Sequence, residues 1–410
     1  MSAPDAVPNP PKNPFLVIFT LGALSTISPF AIDMYLPAFG QIAKEYGTTT
    51  AHVGLSLSTY FAGMALGPLF YGPLLDRFGR KPPLLFGLGL FVATSLGCIV
   101  SPNIETLIWL RLFQALGGCV ASVAAMALVR DLFPPKDTAK IISLIILTIG
   151  VSPLLAPTIG GVVAATLGWH WVFAFLAAIV ALILTLAMVL LPAGKPADTS
   201  VSLAPWPIIK TFAGIYRNRT FVTYLFAGGF SFCTLFIYVS GSPVIFMDIF
   251  HLKPETYGLI FALLSVGFIG SSQVNVFVNR YFPSKQILRV ALTVQCVIAV
   301  LFVIGAWLNV FNVYGTVAMI FLLLSCIGFI GPNSSATALS SLTRDIGSGS
   351  ALMSFTQIGL ATIVSAVVSN LHATTMTPIV AVMAVCALIG LGILMFGQPK
   401  SATATTDAAS

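Results

Sequence analysis

Apolar runs, each long enough to cross a bilayer, alternate with short polar junctions along the whole chain. A crossing helix needs about 20 mostly apolar residues. Twelve stretches qualify, near 15–38, 52–75, 83–101, 104–130, 139–165, 169–191, 219–247, 256–278, 286–308, 312–341, 349–370 and 373–396. The pattern predicts an all-α membrane protein of twelve transmembrane helices. An even number of spans puts both termini on one side. The longest junction, 192–217, divides the chain into a six-helix bundle at 15–191 and a second at 218–398. Residues 1–14 and 399–410 read as flexible tails, the first of them not a signal peptide. The halves echo each other. DRFGRKPPLL (76–85) returns weakly as NRYFPSKQIL (279–288), and LVRDLF (128–133) as LTRDIG (342–347). Each copy follows the corresponding span of its half, as in parallel repeats about an axis along the membrane normal.

Composition excludes the soluble classes. The chain is 57% hydrophobic and only 8% charged, against about 25% charged in a soluble domain. Its +7 net charge is spread over the junctions, which argues against a nucleic-acid partner and sets orientation instead. On the side of the termini fall Lys12, Arg77, Arg80, Lys81, Arg130, Lys136, Lys140, Lys195, Lys210, Arg217, Arg219, Arg280, Lys285, Arg289, Arg344 and Lys400; the other side holds only Lys44 and Lys253. Cytoplasmic termini follow. His52, His170, His251 and His372 fall in or beside the opposite loops, with Trp169, Trp171 and Trp307 near span ends, where indoles favour the interface. All six cysteines lie in apolar runs without metal or redox spacing. No nucleotide-binding P-loop occurs, and no paired carboxylates or His/Cys constellation lies at membrane depth. An ATP-driven pump and an intramembrane enzyme are disfavoured, and no cofactor is expected.

Four motifs carry a family resemblance. GPLLDRFGRKP (72–82) resembles the signature loop of the major facilitator superfamily, with Gly72, Asp76, Arg77, Gly79, Arg80 and Lys81 in matching places. RLFQALGG (111–118) resembles the span-4 motif of its proton-coupled members, and GVSPLLAPTIGG (150–161) the span-5 antiporter motif. DMYLPAF (33–39) and the VRD at 129–131 look most like the bicyclomycin- and chloramphenicol-resistance branch of drug:proton antiporters. The resemblance covers essentially the whole chain. It implies a proton-driven exporter of small hydrophobic or amphipathic compounds in the bacterial inner membrane, working as a monomer by alternating access. The rival within transport is an exporter of a metabolite such as an amino acid or sugar derivative. Asn279 replaces the aspartate in the second copy of the signature loop, so the gating role should belong to the first.

The residues themselves point to the chemistry. Asp33 is the carboxylate well inside a span and Arg111 the basic residue there; charges at that depth are costly and mark function. At 1.5 Å per residue, Asp33 is expected roughly 6 Å from the outer end of span 1 and Arg111 roughly 10 Å from the same side. They would share a central cavity, with Gln114 one turn from Arg111 in the same network. Asp33 would couple protons to substrate, a fixed Asp33–Arg111 ion pair being the structural alternative. Asp248, nearer the end of span 7, is the next candidate. Gly150, Pro153, Pro157, Gly160 and Gly161 form one face of span 5; with Gly63 and Gly67 of span 2 they are expected at the seam between halves. Asp76 is expected to stabilise the outward-open state by holding the cytoplasmic ends of the halves together through helix N-terminal N–H groups and nearby arginines. Phe30, Tyr35, Tyr60, Met64, Phe236, Tyr238 and Gln357 are the candidate walls of a mostly apolar cavity.

Overall fold

A computed structural model describes residues 13–199, 205–342, 346–371 and 373–397. Most of the two tails, the Arg344 copy of the VRD motif and His372 lie outside the described residues. Within them the chain is helical, and twelve helices are long and apolar enough to cross a membrane. Span 1 is α1 (Pro14–Asp33) continued by α2 (Phe39–Glu45). Spans 2 to 6 are α3 (Thr50–Phe78), α4 (Lys81–Ile99), α5 (Ile104–Leu132), α6 (Pro135–Leu167) and α7 (Trp169–Leu190). A short α8 (Pro205–Tyr216) precedes α9 (Arg219–Pro243), α10 (Pro254–Val278), α11 (Ser284–Trp307), α12 (Val313–Ser340), α13 (Ile346–Asn370) and α14 (Thr377–Gly397). Polar residues at the junctions start these helices. Thr49, Asn103, Asn218 and Asn312 each accept from a backbone N–H of the first turn, satisfying donors that a helix start leaves free. Prolines open α1, α4, α6 and α10, where a missing N–H costs nothing.

Three local features depart from the sequence reading. Span 1 does not end at residue 38. The chain tightens into a 3-10 turn at Leu36–Ala38, where Pro37 lacks a donor, and then resumes as α2. The span runs Pro14–Glu45, so Asp33 lies about 18 Å from its far end, not 6 Å. The 192–217 connection contains a helix, α8. Its Ile215 is buried and its Tyr216 hydroxyl bonds Thr356 Oγ1 of α13 at 2.8 Å. Span 7 ends in a π turn, Val244–Ile249, directly after Pro243.

We call the membrane face that carries the termini the terminal side, and the opposite face the far side. The two halves meet along α3 against α13 and α6 against α10. The backbones touch at the far end of α6. A Cβ on Gly161 would lie 2.8 Å from the Pro254 carbonyl oxygen, and one on Gly258 would lie 2.7 Å from that of Pro157. No larger residue fits there without parting the helices. Also across the seam, Thr50 Oγ1 donates to Asp248 Oδ1 at 3.2 Å and Phe61 meets Phe236 edge-on at 4.6 Å. Ser58 and Ser365 share a hydrogen bond of 2.8 Å. Gly63 and Gly67 do not reach this seam. They pack on Leu112 and Cys119 of α5, within their own half. A small-residue pair permits close approach but does not say to which neighbour.

Candidate functional site

Arg111 is fully buried on α5, about two turns from its far end. Its Nη1 donates to Gln114 Oε1 at 2.5 Å and its Nη2 to the Ala31 carbonyl at 3.0 Å, while Nε has no partner. Gln114 passes the network on, donating to Ser95 Oγ of α4 at 2.7 Å. Aromatic rings close the cage. The guanidinium carbon lies 4.2 Å from the Tyr60 ring centre, 4.5 Å from Tyr35 and 5.8 Å from Phe173. Ring faces attract a cation most when water is excluded. Tyr35 is held in turn by Ser56 at 2.8 Å.

Asp33, 6% exposed, is not part of this cage. Among the described residues neither Asp33 nor Arg111 makes an ion pair, so the alternative of a fixed bridge between spans 1 and 4 is not what this structure shows. The reason is angular. Arg111 reaches the backbone of Ala31, and Asp33, two residues on, projects about 200° further round the helix. It faces the second half, within electrostatic reach of Tyr238 on α9 and Tyr257 on α10. Asp33 has no hydrogen-bond partner among the described residues, and the Tyr238 hydroxyl is buried without one. Tyr257 is bonded to Ser242 at 2.8 Å. The arrangement keeps a lone carboxyl at the boundary between halves and a caged cation behind it.

The 72–82 loop is stapled within the first half. Arg80, nearly buried, donates from Nη1 to Asp76 Oδ1 at 2.5 Å and from Nε to Asp131 Oδ2 at 2.7 Å. Burial opposes its charge, but the two carboxylates outweigh that and hold its pKa above the ordinary value. Asp131, from the VRD motif, also accepts from the Lys195 backbone N–H at 3.2 Å. Lys81 caps the end of α7, donating to the Met188 and Leu191 carbonyls at 2.7 and 3.0 Å. Gly79 takes the turn with φ of +81°. Asp76 thus pairs with Arg80, one of the nearby arginines expected to hold it, within its own half in this state. In this state the loop clamps spans 2, 3, 4 and 6 of one bundle.

The Major Facilitator Superfamily model matches residues 21–366. The chain belongs to the major facilitator superfamily. It is 32% identical over 397 residues to an uncharacterized MFS-type transporter, YdgK, of Bacillus subtilis, covering 95% of this chain and 96% of that one. A bicyclomycin resistance protein homolog of Haemophilus influenzae is 29% identical, with 93% and 96% covered. The multidrug resistance protein MdtL of a Shewanella strain is 29% identical, with 91% and 93% covered. In fold it matches a bacterial homolog of the lysosomal transporter Spinster, solved inward-facing and occupied, with TM-score 0.75 at 14% identity over 93% and 96% of the chains. A D-xylose–proton symporter gives 0.71 at 15% identity over 94% and 98%.

The remaining motif residues of this superfamily member separate into groups. Gly160 abuts Met34 of span 1, whereas Gly161 and the Pro157 carbonyl face α10 across the seam, and a Cβ on Gly150 would lie 3.8 Å from Ile269 there. Pro153 and Pro157 sit inside an unbroken α6. Tyr35 and Tyr60 serve the Arg111 cage instead of an open wall. Phe30 lines grooves against α6 and α7 within the first half. Phe236, Met64 and Gln357 are partly exposed, and Phe236 stands at the seam. The far-side histidines find carboxylates: His52 with Glu105 at 3.4 Å, and His170 with Glu45 at 3.5 Å. Asp248 is exposed, at the seam with Thr50. The sequence reading missed Ser95, Phe173, Asp131 and Tyr257 as partners. Asp131 alone carried a signal, as the acid of the VRD motif.

Proposed function

We propose that the chain is a proton-coupled exporter of small hydrophobic or amphipathic compounds. It works by alternating access as a monomer in the bacterial inner membrane, with cytoplasmic termini and no cofactor. The observation that carries this reading is Asp33: a buried carboxyl without a partner, on span 1, facing the opposite half. A carboxyl so placed takes a proton or a substrate contact but cannot stay ionised alone at low cost. Binding that favours one form is then reciprocally linked to the proton. The drug-resistance names of two relatives support the substrate class. The far-side seam fits a state open to the terminal side: the halves touch backbone to backbone at the far ends, while Asp76, Arg80 and Lys81 hold on to their own bundle. Arg111 is held apart from Asp33, with its Nη2 on the Ala31 carbonyl of the same span. Its cage of ring faces and a carbonyl tolerates that charge without neutralising it.

The test is transport by the full chain in sealed vesicles, with tetraphenylphosphonium and chloramphenicol as probes. An imposed proton gradient should drive at least one probe against its own gradient. Asp33→Asn should abolish the driven flux and flatten the pH dependence of probe binding. Gradient-driven flux that survives in Asp33→Asn places the coupling elsewhere, with Asp248 the next residue to replace.

A further inference from the structure

A groove with a cavity volume of about 440 Å³ opens on the second half, between α10, α11 and α12. Phe282 stands at its terminal-side mouth, Val290, Val294 and Ile298 run along the α11 wall, and Leu322 and Phe329 form the α12 wall. Helix α11 packs on α12 and α14, on the flank of the second half away from the seam. Phe282, Val290, Val294 and Leu322 are exposed, so the groove opens outward to the bilayer. From Gln286 to Ile298 it follows α11 for about 18 Å. The hydrocarbon of one leaflet is about 15 Å deep. A groove of apolar walls, as long as one leaflet is deep, has the shape of an acyl chain.

The mouth is basic. Residues 279–289 carry Arg280, Lys285 and Arg289 and no carboxylate. All three are exposed, and each lies within two residues of a lining side chain: Arg280 of Phe282, Lys285 of Gln286, Arg289 of Val290. None makes an ion pair among the described residues; Arg280 lies over the Phe277 ring at 5.3 Å. The matching loop of the first half is the opposite case. There Arg80 is held by Asp76 and Asp131, and Lys81 by two carbonyls. The cations of the first loop are satisfied by protein, whereas those of the second are left to a group outside it. The exposed Tyr281 and Phe282 put this loop at headgroup level, where aromatic rings gather.

We propose that the groove seats one acyl chain of an anionic phospholipid from the terminal-side leaflet, with the phosphate held by Lys285 and Arg289. These two cations are one helical turn apart on α11 and so share a face. A lipid tail gains little by exchanging one apolar surrounding for another. The chain therefore fixes the position, and the charged head supplies the preference. Each basic residue beside an anionic headgroup contributes about fivefold in affinity.

Native mass spectrometry of the purified full chain tests this, with palmitoyl-oleoyl phosphatidylglycerol and the matching phosphatidylcholine as probes. The first phosphatidylglycerol should bind about 20-fold more tightly than the first phosphatidylcholine. Lys285→Gln with Arg289→Gln should bring the two within about twofold of each other. Lys140→Gln with Lys210→Gln removes two exposed terminal-side cations of other segments and should leave the preference intact. Val294→Trp puts an indole into the groove from an exposed position and keeps the cations. It should weaken phosphatidylglycerol at least about fivefold. Every substituted position is exposed, and an unchanged unfolding temperature in detergent shows that each variant is folded. Equal affinity of the unaltered protein for the two lipids overturns the site without any variant. So does a Lys140/Lys210 control that loses as much as the Lys285/Arg289 pair, which would reduce the effect to general attraction. A Val294→Trp that binds phosphatidylglycerol as before removes the seated chain, and with it the proposal. Displacement of the lipid by inorganic phosphate would give the cations to a free anion and overturn it as well.

Discussion

The two halves share a helical plan but not an electrostatic one. Every buried charged side chain among the described residues, namely Asp33, Arg80 and Arg111, belongs to the first half. The second half fills comparable depths with neutral pairs. Ser231 donates to Gln295 Oε1 at 2.6 Å, and Asn333 Nδ2 to Asn275 Oδ1 at 2.7 Å. The same asymmetry holds at the terminal-side loops. The first is bound by the Asp76–Arg80–Asp131 ion pairs; the second has Asn279, with an exposed contact of 3.4 Å from Ser284. A neutral hydrogen bond has the same strength whatever the proton gradient does. A charge at membrane depth is expensive and responds to a proton or a ligand. The repeats thus differ in what they bury: the first half holds charges, the second neutral hydrogen-bonded pairs.

The largest break in this comparison comes from exchanging Arg111 for methionine. The buried guanidinium has no anionic partner among the described residues, and such a charge costs about 2.5–3.5 kcal/mol at mid-membrane on the insertion scale. An apolar side chain of similar length removes that cost but strands Gln114 Oε1, so thermal stability should change little. Driven transport should fall about 100-fold or more, because the charge that ties span 4 to the Ala31 carbonyl of span 1 is gone. A buried neutral pair of the second half should behave in the opposite sense. Gln295→Leu strands the Ser231 hydroxyl and should cost about 1–2 kcal/mol of stability while leaving the transport rate largely unchanged. Thermal unfolding and vesicle flux on both variants check the pair. A transport-competent Arg111→Met would remove the functional half of the comparison.

Next in size is the terminal-side loop. Arg80→Gln deletes two charge-assisted hydrogen bonds of a nearly buried guanidinium. With Asp76 half exposed and screened, the loss should be about 2 kcal/mol, seen as a lower unfolding temperature. Ser284→Ala, in the second-half loop, should change stability by less than about 0.5 kcal/mol. If the two cost the same, the ion pairs of the first loop are ornamental and its charges serve topology only.

How far the sequence reveals this asymmetry depends on what each signal measures. Apolar run length reads depth directly, so the twelve spans and the membrane level of Arg111 were legible. Direction around a helix was not. The Arg111 head group reaches the level of Ala31, yet a two-residue step from Ala31 to Asp33 turns one toward the cage and the other toward the seam. Gly63 and Gly67 mislead for the same reason, since their spacing defines a face without naming the helix it meets. Pro37 looked like the end of span 1 because proline usually stops a helix; here the chain absorbs it in a 3-10 turn and continues for another two turns. The motifs located the Arg80 loop, but Asp131 joins it only through the fold, 51 residues away.

The smallest expected effect concerns the place where the halves are joined by equal, neutral partners. Ser58 of α3, Ser365 of α13 and Ser240 of α9 form a buried chain, with Oγ–Oγ distances of 2.8 and 2.6 Å, that ends on the Phe236 carbonyl at 2.8 Å. Its first link crosses the seam, so under the proposed alternating access it would exist only while the far side is closed. Ser365→Ala removes the central hydroxyl but leaves no orphan, because Ser58 retains the Gly54 carbonyl at 3.3 Å and Ser240 retains that of Phe236. The net loss should be about 0.5–1.5 kcal/mol, charged to the closed state alone. The ratio of open to closed forms should then rise roughly three- to tenfold. Spin labels at the exposed far-side positions Thr49 and Thr256, one on each half, read that ratio as the weight of the longer distance. Ser325→Ala is the control: it too deletes a serine hydroxyl bonded to a helix carbonyl, that of Phe321 at 2.8 Å, but inside the second half. The control should leave the distance distribution unchanged. If Ser365→Ala leaves it unchanged as well, the far-side closure rests on the Gly161–Pro254 and Gly258–Pro157 backbone contacts, and the serine chain is packing that happens to cross the seam.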